Sequence, residues 1–423
     1  MNLPESPPEN PQPDKSFRET CSVICGHSLQ VLRGIPDGCV DTCVTSPPYW
    51  NLRDYKGEPQ IWDGAADCEH EFVESRRYTE NGASKGSGEA FSEAGPENAK
   101  RLKEARWRVD GKCGRCGAWR GQLGLEPTPE MFVDHMVQIF REVRRVLRRE
   151  ETLWVNLGDS YAAGGRGGGG SYMAERRAWS DKENSKGWRS APPGLKGKDL
   201  VGIPWMLAFA LRADGWFLRS DIIWAKPNCM PESVTDRPTR AHEYIFLLSK
   251  SAKYYYDAAA IRNPPSPELI KQIEEGYNGH ATKDFIAEGV QDASATKSRI
   301  IEGCRKRIDK QRGHSRRHAG FNDRWDSLSK EEQMLCGSNK RTVWTVAPAN
   351  YTDAHFATYP PDLIKPCILA GSPPGGLVLD PFAGSGTTGQ VAIENGRRFL
   401  GIELNPDYIP MIKARLKQPG LPL

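Results

Sequence analysis

The sequence predicts an α/β protein built on a doubly wound, mostly parallel sheet whose strands are permuted along the chain. Three observations predict it. The last 65 residues alternate helix and strand, the rhythm of a parallel sheet covered on both faces. A glycine-rich turn in GLVLDPFAGSGTTGQVA, residues 376–392, joins one of those strands to a helix. Only 20 residues follow Glu403, the end of the next strand, so the rest of the sheet must come from upstream.

The elements follow in chain order. Residues 1–20 are proline-rich and polar and read as a disordered tail. Residues 21–66 form the first part of the main domain, where CVDTCV is a buried strand with Cys39 and Cys43 as core thiols. That strand ends stiffly at TSPPYW, residues 45–50. Residues 67–128 are an insertion whose Gly/Ser/charge-rich stretch 75–105 reads as a long mobile loop. The main domain resumes over 129–257. Apolar spacing predicts a helix over 129–150, with the arginines of 141–149 on its exposed face, and a strand and turn at 152–161. A second mobile loop covers 162–198, a glycine-ended helix 198–215, and strands 216–227 and 243–250. Residues 258–345 are a separate insertion. Residues 346–423 then supply helix YPPDLIKPCILAG, strand GLVLDPF, helix TGQVAIENG, strand RRFLGIEL and helix NPDYIPMIKARLKQ.

Composition narrows the class. A chain of 423 residues, 38% hydrophobic, can bury a large core. The formal charge of +4 decides nothing about a polyanionic partner, so the distribution of charge matters more. No apolar run is long enough for a membrane span and no signal pattern opens the chain, which places the protein in the cytoplasm with no membrane partner. Eleven cysteines in such a setting argue for buried thiols and a metal site over a disulfide framework.

Gly384, Gly386 and Gly389 satisfy G-x-G-x-x-G directly after a strand, and Glu403 ends the next strand, where a carboxylate can accept ribose hydroxyls. A tight strand-to-helix turn in another kind of enzyme gives the same glycines. Permutation argues against an ordinary NAD-dependent dehydrogenase. In a permuted doubly wound sheet, TSPPYW and DPFAGSG face each other across the crevice at the carboxyl ends of the strands.

The first insertion holds DCEHEF, with Cys68 and His70, and GKCGRCGAW, with Cys113 and Cys116. Two short pairs of thiolate and imidazole groups are what a closed, tetrahedral structural zinc requires. A redox pair and unliganded cysteines are the alternatives; a thioredoxin-like C-x-x-C should open a helix, and this one precedes WRGQLGLEPTP. Residues 299–324 hold nine Lys or Arg against three Asp or Glu, a local excess larger than that of the whole chain. Arg305, Lys306, Arg307, Arg312, Arg316 and Arg317 are its candidate phosphate contacts, against the reading of a solvated basic loop.

With TSPPYW early, PDLIKPCILAG late and DPFAGSGTT after it, the chain resembles the permuted, beta-class S-adenosylmethionine-dependent DNA amino-methyltransferases. These enzymes methylate cytosine N4 or adenine N6. The resemblance runs from about Val23 to Arg415 and is weakest in the insertions. It implies that Ser46, Pro47, Pro48 and Tyr49 are the catalytic tetrapeptide. Asp380, Pro381, Phe382, Gly384, Ser385, Gly386 and Thr387 would form the donor loop, with Glu403 on the ribose. His355, Phe356, Pro360 and Pro361 lie in the segment that closes over the methionine part. Gly26 and His27 depart from the family's Gly-Asp. The resemblance also implies double-stranded DNA as partner, target recognition within 258–345, and compatibility with a cognate restriction endonuclease.

Proline chemistry fits that role. Pro47 and Pro48 carry no N–H, so the carbonyls of Ser46 and Pro47 can accept the two amino hydrogens of a base. Tyr49 offers a face for a flipped-out base to stack on. A serine in the first position leans toward cytosine, whose ring N3 needs a donor; adenine N1 is also an acceptor and keeps adenine as the alternative. A non-catalytic, zinc-bearing nucleic-acid-binding module is the reading from another class. Two intact motifs favour an enzyme.

Overall fold

The computed structural model describes residues 22–52, 58–65, 67–73, 111–162, 194–229, 231–268, 270, 337–348 and 359–417. The chain forms two compact units, one of residues 1–257 with 342–423, the other of residues 258–341. In the second unit, Ala259–Ile261 make one 3₁₀ turn, and Asn263 bridges Ser338 in antiparallel fashion.

The first unit is α/β. Its first half contains β1 (Ser22–Cys25), α1 (Ser28–Arg33) and β2 (Val40–Thr45), then four short strands: β3 (Gln60–Trp62), β4 (Phe72–Val73), β5 (Lys112–Cys113) and β6 (Trp119–Gly121). Next come α2 (Pro129–Val146), β7 (Leu147–Leu157), α3 (Ile203–Ala213), β8 (Phe217–Ala225) and β9 (His242–Ser249). The final part supplies β10 (Val343–Thr345), α4 (Pro361–Gly371), β11 (Leu377–Asp380), α5 (Thr387–Glu394), β12 (Arg398–Glu403) and α6 (Tyr408–Lys417).

Eight strands form one sheet in the order β1-β12-β11-β2-β7-β9-β8-β10. All pairs are parallel except β7 with β9 and β8 with β9. The order explains where the site must lie. From β11 the chain winds outward through α5 to β12, whereas from β2 it winds the other way through α2 to β7. The reversal sits between β11 and β2, and a crevice opens at their carboxyl ends. The sheet is therefore permuted as the sequence implies, with late β11 in register beside early β2: Val378 opposite Thr42, Leu379 opposite Cys43. Cys39 and Cys43 are buried in the core.

Helix α2 starts on Thr128, whose Oγ1 accepts the N–H of Met131 at 3.2 Å, with Pro129 in the first turn. Phe132, Met136, Ile139, Phe140 and Val143 recur at helical spacing and are fully buried. Two predicted bounds need correction. The helix ends at Val146, not 150, because Leu147 turns extended and pairs with Val40, so sheet pairing overrides the helix propensity of Arg148–Glu150. Helix α3 starts at Ile203, not Lys198, because Lys198 and Gly202 have φ of +74° and +86°. Asp159 caps it from the end of β7, its Oδ1 accepting the N–H groups of Gly202 (2.9 Å) and Ile203 (3.1 Å). Nor is every arginine of 141–149 on a free face: Arg145 donates to the carbonyls of Leu32 (2.7 Å) and Ile35 (2.8 Å), tying α2 to the end of α1.

A four-stranded antiparallel sheet, β3-β6-β5-β4, joins three short strands of the first insertion to β3, which lies before residue 67. No helix among the described residues is long and apolar enough to cross a membrane.

Glu151 sits buried in β7, its Oε2 without a partner among the described residues, and burial followed by the charge of Asp41 pushes its carboxyl up to about 8. A raised acid penalises folding once it ionises in the unfolded chain. The penalty is absent below the unfolded value, grows as pH rises, and is complete above about 8. Glu151→Gln should therefore raise the melting temperature by a few degrees at pH 8 and leave it unchanged near pH 4, as calorimetry can check.

Candidate active site

The crevice between β2 and β11 is closed at its base by Asp380, the last residue of β11. Its carboxylate is buried and accepts four hydrogen bonds: from Thr45 Oγ1 (2.6 Å), Thr388 Oγ1 (2.5 Å), Tyr359 OH (3.2 Å) and the Phe382 N–H (3.0 Å). Burial raises its pKa, while each of those donors pulls it back. Thr45 is the residue before the tetrapeptide, so one carboxylate ties the end of β2 to the glycine turn.

The turn itself needs its glycines. Gly384 and Gly386 have φ of +53° and +81°, and a Cβ on Gly386 would sit 2.8 Å from Ile412 Cγ2. Arg415 of α6 braces the outside, donating to Ser385 Oγ (3.1 Å) and Thr387 Oγ1 (3.3 Å). Glu403 ends β12 beside the turn, with Oε2 accepting the Gly384 N–H and Oε1 that of Asn405, both at 2.8 Å. Burial raises its pKa as well.

Across the crevice, Ser46 Oγ reaches Asn156 Oδ1 at 3.4 Å, a long contact. Tyr49 OH donates to Glu243 Oε2 at 2.7 Å and lies 3.2 Å from Asn156 Oδ1. Asn156 Nδ2 donates to the Tyr244 carbonyl (3.1 Å) and Glu243 Oε2 (3.3 Å), and Lys226 pairs with Glu243 Oε1. The Tyr49 ring lies against Gly158, just past β7, where a Cβ would come 2.6 Å from Tyr49 Cε2.

One cleft is lined by Ser46, Pro47, Pro48 and Tyr49 on one side and by Pro381, Phe382, Gly384, Ser385, Thr387 and Glu403 on the other. The structure thus brings together the sequence-predicted residues of both motifs, apart from Asp380 and Gly386, which support the cleft from behind. Phe356 and His355 lie outside the described residues, as do Arg305, Lys306, Arg307, Arg312, Arg316 and Arg317. His27 lines the cleft where a carboxylate was expected. Its Nδ1 is buried with no partner among the described residues, and burial, then the charge of Arg33, lowers its pKa to about 4, so it is neutral at pH 7.

Sequence reasoning missed Tyr359, Thr388, Asn156 and Glu243. Tyr359 was one residue from Pro360 and Pro361, and Thr388 sits inside DPFAGSGTT; their place in the same motifs was the available signal. Asn156 and Glu243 stand on strands read only for their apolar pattern, and nothing local marks them.

Cys68, His70, Cys113 and Cys116 converge, each offering one ligand atom within 4.8 Å of the others. Cys68 Sγ and Cys113 Sγ are 3.9 Å apart, and Cys116 Sγ and His70 Nδ1 3.4 Å. A tetrahedral zinc bonded to sulfur and nitrogen would set about 3.8 Å between sulfurs and about 3.5 Å between sulfur and nitrogen. The donors therefore fit. The Cys116 N–H, aimed back at Cys113, is the main cause drawing that thiol down to about 6. The turn is a knuckle rather than a helix start, with the Gly117 N–H on the Cys113 carbonyl at 2.9 Å.

The profile of the N6/N4 DNA methylases matches residues 40–414. The chain belongs to this DNA methylase family. It is 35% identical to the type II methyltransferase M.SmaI of Serratia marcescens, over 95% of this chain and 92% of that protein. Identity to the type II methyltransferase M.Cfr9I of Citrobacter freundii is 37%, over 93% of this chain and 86% of that protein. Among solved structures, the cytosine-N4-specific PvuII DNA methyltransferase aligns with a TM-score of 0.43 at 14% identity, over 95% of this chain and 89% of that one. The DNA methylase therefore presents its tetrapeptide and its glycine turn to one cleft.

Gly158→Ala should force the Tyr49 ring out of place while leaving the glycine turn intact. Misplacement by about 1 Å can cost about 100-fold in rate. Steady-state DNA methylation should show that loss in kcat with an unchanged melting temperature.

Proposed function

We propose that this DNA methyltransferase is site-specific and transfers the methyl group of S-adenosylmethionine to the exocyclic N4 of cytosine in a flipped-out base. The shared cleft carries the reading: a tetrapeptide whose two central prolines have no N–H faces a glycine turn and a strand-end carboxylate. Gly384, Ser385, Gly386 and Thr387, with Pro381 and Phe382, would cradle the donor, Phe356 would cover it, and Glu403 would take the ribose hydroxyls. When bound, the donor supplies an electrophilic methyl group.

The residues of the chain then work by orientation. An exocyclic amino group is a poor nucleophile because its lone pair is delocalised into the ring. The carbonyls of Ser46 and Pro47 would accept its two hydrogens, Pro47 and Pro48 fixing their direction. Tyr49, tethered through its hydroxyl to Glu243, would hold its ring against the base. The Ser46 hydroxyl, only weakly engaged by Asn156, can turn to donate to cytosine N3. The basic run with Arg305, Lys306, Arg307, Arg312, Arg316 and Arg317 supports DNA contact and target recognition within 258–345. A cognate restriction endonuclease reading the same site is the matching partner, since the relatives above are type II methyltransferases.

Mass spectrometry of nucleosides from expressing cells should show N4-methylcytosine, and Ser46→Ala should abolish it. N6-methyladenine instead would move the reading to adenine, and neither base would sink it. Glu403→Gln should raise the Kd for S-adenosylmethionine by about tenfold, about 1.4 kcal/mol, by titration calorimetry.

The cluster of Cys68, His70, Cys113 and Cys116 is read as a structural zinc site, closed by four protein ligands. Elemental analysis of the purified chain should find one zinc per molecule, lost in Cys116→Ser.

A further inference from the structure

The small sheet that carries the metal cluster also touches the catalytic loop, through a buried histidine that the mechanism above does not use. Cys113 lies on β5, and β5 pairs with β6 and β6 with β3, setting Trp119 opposite Trp62. Both indoles stack on the imidazole of His135, at 4.3 Å for Trp62 and 5.5 Å for Trp119. His135, on α2, is fully buried. Its Nε2 lies 2.9 Å from Asp63 Oδ2, next to Trp62, and its Nδ1 lies 2.9 Å from Glu126 Oε1. Both contacts set a ring nitrogen against a carboxylate oxygen, so each needs a proton between its atoms.

From Glu126 the contacts run straight to the tetrapeptide. Glu126 Oε2 accepts the Gly124 N–H at 2.8 Å, and its backbone carbonyl accepts Trp50 Nε1 at 3.1 Å. The Gly124 carbonyl accepts the Asn51 N–H at 2.7 Å. Gly124 packs so closely under the loop that a Cβ there would stand 3.2 Å from the Tyr49 carbonyl and 3.3 Å from Pro48 Cβ.

Strands of two or three residues bury little and cannot hold a sheet on their own. At the cluster end a metal would fasten them; at the other end, His135 is clamped between the two indoles and two carboxylates.

We propose that His135 is a positioning residue through which the metal module sets the catalytic loop. The metal then governs the rate of methyl transfer more strongly than donor binding, which the small sheet meets through the edge contact of Trp62 with His27 at 4.9 Å. This rests on the zinc reading of the cluster, and the test separates the two.

The full-length protein is assayed as purified, after zinc removal with a chelator, and after zinc is added back, with metal content measured at each stage. Hydrogen exchange is followed in the peptides covering 46–52 and 381–390. Removal should speed exchange in 46–52 by about tenfold, lower kcat by about 10–100-fold and leave the Kd for S-adenosylmethionine within about threefold, all reversed by zinc. His135→Ala should do the same while retaining its zinc. His135→Gln, which keeps one N–H to offer Glu126, should fall between that variant and the natural chain.

A protein that purifies without zinc and takes none up overturns the zinc reading, and the proposal with it. Stoichiometric zinc whose removal leaves 46–52 and kcat unchanged overturns only the coupling. Removal that speeds exchange equally in 381–390 also overturns it, because the metal is then a general staple. Should His135→Ala fail to fold, the chelation series alone decides among these outcomes.

Discussion

The carboxylate of Asp380 fastens the two ends of a permuted chain to each other, and the geometry of the cleft depends on it. Residues 45 and 380 are far apart in sequence, yet their side chains meet at 2.6 Å where β2 and β11 end side by side. Burying an ionised carboxylate costs several kcal/mol. Three hydroxyls and one backbone N–H converge on this one, and hydrogen bonds to a charged group contribute about 1.5–3 kcal/mol each. Together they offset part of that cost, and burial still leaves the carboxyl above its ordinary pKa. Because the donors come from β2, from α5 and from the segment before α4, the same bonds fix the tetrapeptide, the glycine turn and Tyr359 relative to one another.

A second layer sets the tetrapeptide from behind and from the side. Gly158 and Gly124 leave room for the Tyr49 ring and for the loop backbone, so both are sites where one added carbon would move the tetrapeptide. Glu243 accepts from Tyr49 and Asn156 while pairing with Lys226, which keeps a charge next to the target side without leaving it unbalanced. Asn156 and Glu243 come from β7 and β9, which pair antiparallel. His27 adds a neutral imidazole to the cleft, where the carboxylate expected from the resemblance would have been a charge.

Much of this was legible in the sequence. The final alternation of strand and helix and the two motifs in their order pointed to the permuted sheet and to the facing of the motifs. The paired spacing of Cys68 with His70 and Cys113 with Cys116 marked four donor groups that the fold brings together, because ligand chemistry and knuckle glycines are local signals. Helix ends were less legible. Leu147 continues a helical pattern but is captured by pairing with Val40, and α3 is capped by Asp159, a residue 44 positions from Ile203.

The sequence by itself therefore determined the identity of the chemical groups and the order in which they enter the fold. Motif residues act through their own backbone and side chains, so their types and spacing carry the message. Only the tertiary structure decided which groups support them. Asn156, Glu243, His135 and Glu126 act through partners up to 194 residues distant, as between Glu243 and Tyr49. Contacts across the sheet leave no periodicity along the chain, and a buried polar residue shows its purpose only once its partner is beside it.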